Sequence, residues 1–232
     1  MSASSDLLLL HGALGAAAQL APLAQLLGSR YRVHVLDFEG HGDLPPRDRP
    51  FRISHFGENV IEYLDEHGVE RAHVFGYSMG GYVALHLAAA CPERVGDVAT
   101  LGTKFDWTPD VAAREAGRLD PAAIRAKVPR FAEALADRHA HAGGWEGVLA
   151  RTAELLRELG YRPAVGAREL SQVGQRVRIM VGDRDVTTSV EESAAAYRSL
   201  PAGELAVLPR TPHPLEQVDC AMLARTLVDY FD

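Results

Sequence analysis

Cysteine, basic charge and long apolar runs are all scarce in this sequence, and each shortage excludes a class of protein. The 232 residues include only two cysteines, Cys91 and Cys220, which are too few for a disulfide framework. They fit a reducing compartment, although a single bridge between them stays open at this point. Acidic residues outnumber basic ones by 31 to 24, so the net charge is −7. Because a nucleic-acid-binding surface needs a basic face, we expect no nucleic-acid partner.

We also expect no targeting or membrane segment. The apolar run Leu7–Leu10 is too short for the apolar region of a signal peptide or for a membrane span, and no basic residue precedes it. Neither an internal repeat nor a low-complexity linker is present. The composition, 47% hydrophobic and 24% charged, is typical of a globular protein. We expect a cytoplasmic protein without a membrane partner, long enough for one α/β domain with an inserted subdomain.

The most informative stretch is G-Y-S-M-G-G at residues 76–81, which lies between an apolar run and a helical run. A strand that turns at once into a helix forces its corner residue into a strained backbone conformation, and small residues on either side prevent a clash. Gly76 and Gly80 occupy those positions, so Ser78 is the predicted corner residue. Its hydroxyl should project beside backbone N–H groups at a helix N-terminus, where negative charge is stabilised. A G-x-S-x-G string alone occurs by chance, but its flanking strand and helix favour a turn that presents a nucleophile.

Short apolar runs alternate with helical runs along the rest of the chain. The predicted strands are 7–10, 31–38, 72–75, 95–101, 177–182 and 205–208. This alternation is typical of an α/β fold in which a mostly parallel six-stranded sheet has helices on both faces. Residues 104–170 show no strand pattern, only amphipathic helical stretches. We therefore assign residues 1–103 and 171–232 to a core and residues 104–170 to a small helical cap inserted between strands.

Three helix ends are predicted from single residues. Ser54 is the expected N-cap of a helix that ends near His67, and Asp120 followed by Pro121 marks another helix start. Gly160 is expected to end a helix of the cap.

Four of the predicted strands end in turns with chemically active residues. These turns contain H-G-A at 11–13, G-Y-S at 76–78, G-D-R-D at 182–185 and H-P-L-E at 213–216. Active sites in parallel sheets lie at the carboxyl ends of the strands, so all four turns should meet at one edge. Their convergence indicates a catalytic site more strongly than any single motif does.

Together these motifs resemble the α/β-hydrolase-fold superfamily over nearly the whole chain. The matching pieces are L-H-G-x-x-G at 10–15, D-x-x-G-H-G at 37–42, G-Y-S-M-G-G, G-D-R-D and H-P-L-E. The order serine, aspartate, histidine is also that of the family. Two features depart from its pattern: the N-terminal antiparallel hairpin has no room before Leu7, and Pro212 replaces the glycine that usually precedes the catalytic histidine. The resemblance implies a serine-nucleophile, esterase-like enzyme with a helical cap.

Ser78 needs a base, because a serine hydroxyl is a weak nucleophile at neutral pH. The sequence offers ten histidines. Histidines with packing or surface interpretations are His34, His73, His86, His139 and His141. His139 and His141 lie on a stretch expected to be exposed. A metal site there is disfavoured, because no carboxylate or cysteine pattern accompanies them. His213 alone lies in a proline-constrained loop directly after the last strand and is the candidate base; we predict no metal and no cofactor.

Asp183 and Asp185 both follow the fifth strand and compete for the place of the acid. In the family the acid usually comes three residues after the turn glycine, here Gly182, so the resemblance implies Asp185. Asp183 is then a turn former or a surface charge. The resemblance also implies an oxyanion hole made of the backbone N–H groups of Ala13 and Met79. Such donors are often the largest single catalytic contribution.

The cap is expected to cover the site and to form an apolar, water-poor pocket. Phe105, Trp107 and Trp145 are the predicted pocket residues; they also fit the core of the cap itself, Trp145 slightly better. Tyr77, beside the nucleophile, is more often a packing residue than a catalytic one. The resemblance implies that His11 supports the oxyanion turn.

These features predict hydrolysis of a small ester or thioester, a small-molecule substrate, through an acyl-enzyme on Ser78, Asp185 and His213. The expected assembly is a monomer or homodimer. A cofactor-free C–C hydrolase, a perhydrolase or a lyase on the same triad is an alternative, as is a non-enzymatic ligand receptor on this fold. A menaquinone-pathway lyase is disfavoured, because it carries an arginine where Tyr82 stands. Turnover of a chromogenic ester separates the receptor from the enzymes.

Overall fold

A single sheet of parallel strands organises the computed structural model, which describes residues 5–232. The strand order is β2-β1-β3-β4-β5-β6, and every neighbouring pair is parallel. The strands are β1 Asp6–Leu10, β2 Arg32–Leu36, β3 Ala72–Tyr77, β4 Val95–Leu101, β5 Val177–Gly182 and β6 Gly203–Leu208. The predicted α/β class and six-stranded sheet are confirmed.

Helices follow most of the strands. They are α1 Ala21–Leu27, α2 Ile53–Glu66, α3 Met79–Ala90, α4 Pro109–Gly117, α5 Pro121–Lys127, α6 Pro129–Arg138, α7 Trp145–Tyr161, α8 Ala167–Leu170, α9 Val190–Arg198 and α10 Cys220–Phe231. Short 3-10 helices occupy Ala17–Leu20 and Leu215–Gln217. Within residues 5–232, no helix combines the length and the apolar character needed to span a membrane.

Strand β1 illustrates why the sheet is buried on both faces. Successive side chains of a strand point to opposite faces. Leu8 and Leu10 pack into one apolar cluster with α2 and α3, whereas Leu7 and Leu9 pack into another with α1 and α10. All four are fully buried. Continuous leucines are therefore compatible with a central strand covered by helices on each side.

The segment between β4 and β5 consists of helices α4 to α8, and we call residues 104–170 the helical insert. Asp120 caps α5 as predicted, because its carboxylate accepts the N–H groups of Ala122 and Ala123. We expected Gly160 to end α7, but it lies inside the helix. A Cβ atom there would approach the Ala112 side chain to 2.6 Å, so this glycine lets α7 pack closely against α4.

The N-terminus of α2 differs from the prediction. The helix begins at Ile53 with Arg52 in the N-cap position, and no side chain caps it. Ser54, the predicted cap, lies in the first turn. The reason is that Ile53 is a buried part of the helix, and its burial overrides the capping preference of a serine one residue later.

The carboxyl ends of the strands lie in register, which brings their turns to one edge of the sheet. Leu10 pairs with Gly76, Tyr77 with Leu101, and Gly182 with Leu208. The segments that follow β1, β3, β5 and β6 therefore start side by side. This is the edge at which the four predicted turns were expected to meet.

Candidate active site

Ser78 occupies the sharp turn between β3 and α3. Its backbone angles are φ 51° and ψ −116°, a left-handed conformation that non-glycine residues seldom adopt. Strain of this kind costs about 1–3 kcal/mol and persists only when the surrounding structure enforces it. The predicted strained corner at Ser78 is confirmed.

The two glycines around Ser78 are required by close backbone contacts. A Cβ atom on Gly76 would lie 2.3 Å from the Gly81 nitrogen, and one on Gly80 would lie 2.4 Å from the Leu10 carbonyl oxygen. Neither approach leaves room for a side chain, and backbone atoms have little freedom to move away. The glycine spacing thus lets α3 start directly against β3 and β1, as the sequence predicted.

Asp185 and His213 form a hydrogen-bonded pair at the same edge. His213 Nδ1 lies 2.7 Å from Asp185 Oδ2. The other carboxylate oxygen accepts the N–H groups of Thr187 at 2.8 Å and Thr188 at 2.9 Å. The Asp185 side chain is 2% exposed, so both oxygens are held by protein donors rather than by bulk water. This arrangement places the Nδ1–H of His213 toward the carboxylate and leaves Nε2 as an acceptor.

The environment keeps Asp185 charged. Burial raises the pKa of its carboxyl, but the hydrogen bond and charge of His213, together with two backbone N–H groups, bring the pKa below the ordinary value. Asp183 is in a different position: it is exposed and accepts the Thr211 N–H at 3.1 Å. Of the two aspartates, only Asp185 contacts His213 in the described part of the chain.

Two further residues hold this pair. Gly102, with φ +64°, packs so closely that an added Cβ would lie 3.1 Å from Asp185 Oδ2 and from His213 Nδ1. The Tyr77 hydroxyl donates to the His213 carbonyl oxygen at 2.8 Å. We expected Tyr77 to be a packing residue, and no local signal indicated this bond, because the two residues lie 136 positions apart. Tyr77 therefore anchors the histidine loop.

Met79 directly follows Ser78 in the chain and Ala13 lies in the turn after β1; both line the same cavity as Ser78 and His213. Within residues 5–232, neither the Ala13 N–H nor the Met79 N–H donates a hydrogen bond to a backbone carbonyl of a turn or loop. Two amides without acceptors, next to a serine hydroxyl, are suited to receive a negatively charged oxygen.

His11 stabilises the turn after β1, which contains Ala13, through its hydrogen bonds. It is fully buried, its Nδ1 donates to the Gly12 carbonyl oxygen at 2.8 Å, and its Nε2 accepts the Phe38 N–H at 3.1 Å. The Phe38 donor fixes the tautomer, because Nε2 must present a lone pair. Burial lowers the pKa of His11 to about 4, so the ring is neutral at neutral pH. His11 has the contacts of a supporting residue, as the resemblance implied.

The cavity has a volume of about 330 Å³, within the range of small-molecule sites. Its walls are mainly apolar. The apolar and aromatic residues that line it include Ile53, Trp107, Leu119, Leu155, Leu156 and Leu159. Five of these six belong to the helical insert, so the insert forms much of the wall.

Charged side chains also reach this cavity, and sequence reasoning did not anticipate them. Lys104 lies 3.3 Å from the carboxylate of Glu192, and Arg118 lies 2.7 Å from that of Glu115. Lys104, Glu115 and Arg118 line the cavity. Each charge has a partner of opposite sign, so the pairs do not by themselves select an ionic ligand.

Two of the three predicted pocket aromatics lie elsewhere. Trp107 lines the cavity, but Phe105 and Trp145 are not among its lining residues. Trp145 is buried in the core of the insert with Leu135 and Leu149, because α5 to α7 need an apolar centre of their own. Phe105 packs at the edge of the main core, 6.4 Å from the Tyr82 ring.

His139 corrects another expectation. We predicted an exposed stretch at His139 and His141, but His139 is fully buried and only His141 is exposed. Both ring nitrogens of His139 have backbone partners, at Gly42 and Leu14. Within residues 5–232, no three His, Cys, Asp or Glu side chains are grouped so as to hold a metal ion. Cys91 and Cys220 are free thiols.

Comparison with known proteins gives a consistent family. Residues 7–225 match the model of the alpha/beta hydrolase family. A pimeloyl-[acyl-carrier protein] methyl ester esterase of Neisseria meningitidis serogroup B is 26% identical over 204 residues, or 81% of this chain and 77% of that protein. The dihydrolipoyllysine-residue acetyltransferase component of the acetoin cleaving system of Pseudomonas putida is 29% identical over 218 residues, or 85% of this chain and 57% of that protein.

Solved structures agree on the fold. The enol-lactonase from Burkholderia xenovorans LB400 superimposes with a TM-score of 0.76 at 20% identity, over 98% of this chain and 91% of that chain. At this identity the likeness shows the fold alone. Several curated relatives are longer: the chain spans between 20% and 57% of their length.

Proposed function

The chain belongs to the alpha/beta hydrolase family, and on that premise we propose that this hydrolase cleaves small esters or thioesters through a covalent acyl-enzyme. The observation that carries the proposal is the arrangement at the sheet edge. Ser78, in its strained conformation, and His213, which is hydrogen-bonded to Asp185, line one cavity together with Ala13 and Met79. These are the groups that acyl transfer needs.

Acylation is the first half of the proposed reaction. The Ser78 hydroxyl oxygen attacks the substrate carbonyl carbon while its proton passes to His213 Nε2, and Asp185 stabilises the imidazolium that forms. The carbonyl oxygen becomes an oxyanion and accepts the N–H groups of Ala13 and Met79. When the tetrahedral intermediate collapses, His213 returns the proton to the leaving alcohol or thiol. The acyl group is then an ester of Ser78.

Deacylation repeats the same steps with water. His213 removes a proton from a water molecule that attacks the acyl carbon, and the oxyanion again lies between Ala13 and Met79. Collapse releases the carboxylic acid, and the proton returns to Ser78. We propose that the helical insert acts as a cap in both steps by keeping bulk water out of the cavity.

The cavity supports a neutral substrate with a short to medium acyl group. Its volume of about 330 Å³ and its apolar walls favour hydrocarbon, while the charges of Lys104 and Arg118 are compensated by acidic partners. The Neisseria relative is named as an esterase, which is in line with ester chemistry.

The experiment is turnover of p-nitrophenyl esters and matched acyl thioesters by Ser78→Ala. We expect the loss of essentially all turnover with an unchanged circular dichroism spectrum, because the hydroxyl projects into the cavity. Ser54→Ala, on the exposed side of α2, is the matched control and should keep wild-type rates. Full activity of Ser78→Ala would end the nucleophile assignment. Absence of turnover in the wild type on every ester and thioester would refute the proposed reaction.

A further inference from the structure

The carbonyl oxygen of Leu14, in the turn after β1, accepts two hydrogen bonds from the helical insert. Arg138 Nη1 lies 2.8 Å from this oxygen and His139 Nε2 lies 3.1 Å from it. Leu14 itself has φ 58°, a left-handed conformation that a leucine seldom adopts. The end of α6 thus holds a strained residue of the turn that carries the Ala13 amide.

The second ring nitrogen of His139 shows that this contact is built into the fold. His139 Nδ1 accepts the Gly42 N–H at 3.1 Å, so Nδ1 carries a lone pair and Nε2 carries the proton that Leu14 needs. His139 is fully buried, and burial lowers its pKa, which keeps the ring in this neutral form. Arg138 also approaches Glu216 at 3.4 Å, three residues beyond His213.

Two peptide units, linked to each other by a hydrogen bond, connect the insert to the Ala13 amide. The Leu14 carbonyl and the Gly15 N–H belong to one planar peptide unit and point in opposite directions. The Gly15 N–H donates to the Gly12 carbonyl oxygen at 3.0 Å. That carbonyl belongs to the same peptide unit as the Ala13 N–H, which therefore points the opposite way. Donors on Leu14 consequently fix the direction of the Ala13 N–H through Gly15 and Gly12.

The same chain transmits polarisation. Hydrogen bonds in series strengthen one another by about 10–30% per bond, and a charged donor such as Arg138 gives the stronger bond at the start of the series. His11 adds a second donor to the Gly12 carbonyl at 2.8 Å. The Ala13 N–H at the far end becomes both fixed in direction and a better donor toward an oxyanion.

We infer that Arg138 and His139 are positioning residues that complete the oxyanion hole from the helical insert. This inference rests on the proposed function, because it assigns a second task to the insert in that reaction. The insert then does more than wall the cavity: seating α6 against Leu14 sets the geometry of the Ala13 amide. Neither residue touches the reacting atoms.

The competing explanation is that the hydrogen bonds of Arg138 and His139 to Leu14 only attach the insert to the core. Another arginine of the insert provides a matched control for this explanation. Arg151, on α7, donates from Nη1 to the carbonyl oxygens of Arg47 and Arg49, each at 3.1 Å. It is also an insert arginine bound to core carbonyls, but it does not reach the oxyanion turn. Arg151→Met and Arg138→Met remove comparable attachments and differ in the turn they affect.

The test compares steady-state kinetics and inhibition by an acyl trifluoromethyl ketone, whose adduct with the serine carries an oxyanion. For Arg138→Met and His139→Phe we expect kcat to fall about tenfold each, with KM within about twofold. Removing a whole oxyanion donor costs about 10²–10³, and a displaced donor should cost less. The inhibition constant of the ketone should rise in the same proportion as kcat/KM falls. Arg138→Lys and His139→Gln keep a donor near Leu14 and should restore part of kcat.

The outcomes are distinguishable. Wild-type kcat in folded Arg138→Met and His139→Phe, a change confined to KM, or an equal loss of kcat in Arg151→Met would overturn the inference. If Arg138→Met fails to fold, His139→Phe still decides it, because wild-type kcat and unchanged ketone inhibition in that folded variant refute the positioning role. Ser78→Ala is assayed alongside. Its full activity would refute the proposed function, whereas its inactivity beside unaffected Arg138 and His139 variants refutes the inference alone.

Discussion

The Asp185→Asn substitution tests the orientation of His213, the proposed catalytic base. Two backbone N–H groups, of Thr187 and Thr188, donate to Asp185 Oδ1 at 2.8 and 2.9 Å. An asparagine must keep its oxygen there, so its NH₂ group faces His213 Nδ1. A donor opposite Nδ1 forces the ring proton onto Nε2, and the nitrogen that should accept the Ser78 proton is then blocked.

The expected loss of rate in Asp185→Asn follows from the free energy needed to turn the asparagine amide so that its oxygen faces His213. Turning the amide over would leave the two N–H groups facing an NH₂ group, at about 1–3 kcal/mol for each lost bond. The reactive tautomer therefore costs about 2–6 kcal/mol, which corresponds to about 30-fold to about 10⁴-fold in rate. The same acid-to-amide change in a chymotrypsin-type triad, a measured precedent and not a result for this chain, costs about 10⁴ in kcat. We expect a loss of several orders of magnitude in kcat/KM.

Asp183→Asn is the matched control, since it makes the same chemical change two residues away on an exposed side chain. Its oxygen can still accept the Thr211 N–H, so we expect less than a tenfold loss. The assay is hydrolysis of a p-nitrophenyl ester, with thermal unfolding to confirm that both variants fold. Activity of Asp185→Asn within tenfold of wild type, or a larger loss in Asp183→Asn, would refute this reasoning.

Two further predictions concern the cavity and acid stability. Trp107→Ala should shift the ratio of octanoate to acetate ester turnover about tenfold toward the longer acyl chain. The control is Trp145→Phe, at a buried residue that does not line the cavity. An equal loss of turnover on all esters would contradict the conclusion that Trp107 forms part of the cavity wall. His11, with a pKa of about 4 in place of 6.5, is neutral when folded and protonates more readily when unfolded, so stability falls as the pH drops from 6.5 toward 4. From this residue alone, the free energy of unfolding in urea should be about 2 kcal/mol lower at pH 5.0 than at pH 7.5. His11→Gln should reduce this loss of stability, whereas exposed His141→Gln should not. An equal loss of stability at pH 5.0 in wild type and His11→Gln would contradict the prediction.

Local patterns determined what the sequence could predict. The strain at Ser78 follows from a strand, a helix and glycines within a few residues, so its φ of 51° was foreseeable from the motif. The six strands were foreseeable because each is a short apolar run. The Asp185–His213 contact agrees with the order of turns along the sheet edge, although the catalytic roles of both residues stay predictions.

Residues whose environment comes from distant segments could not be predicted. His139 is buried and hydrogen-bonds to Gly42 and Leu14, which lie 97 and 125 positions away, so its local sequence, interpreted as an exposed stretch, did not indicate its burial. The location of Trp145 was decided by how α5, α6 and α7 pack on one another. Pattern analysis identifies an apolar residue in such a helix, but it does not say whether the residue faces the cavity or a separate core.

The most direct test of the central claim is detection of the acyl-enzyme on Ser78. The enzyme is mixed with a p-nitrophenyl ester, quenched in acid within milliseconds to seconds, and analysed by intact mass spectrometry and peptide mapping. We predict a burst of p-nitrophenol approaching one equivalent when deacylation is the slower step, and the mass of the acyl group on the peptide that contains Ser78. A burst of p-nitrophenol with Ser78 unmodified, or the acyl group on another residue, would contradict the account.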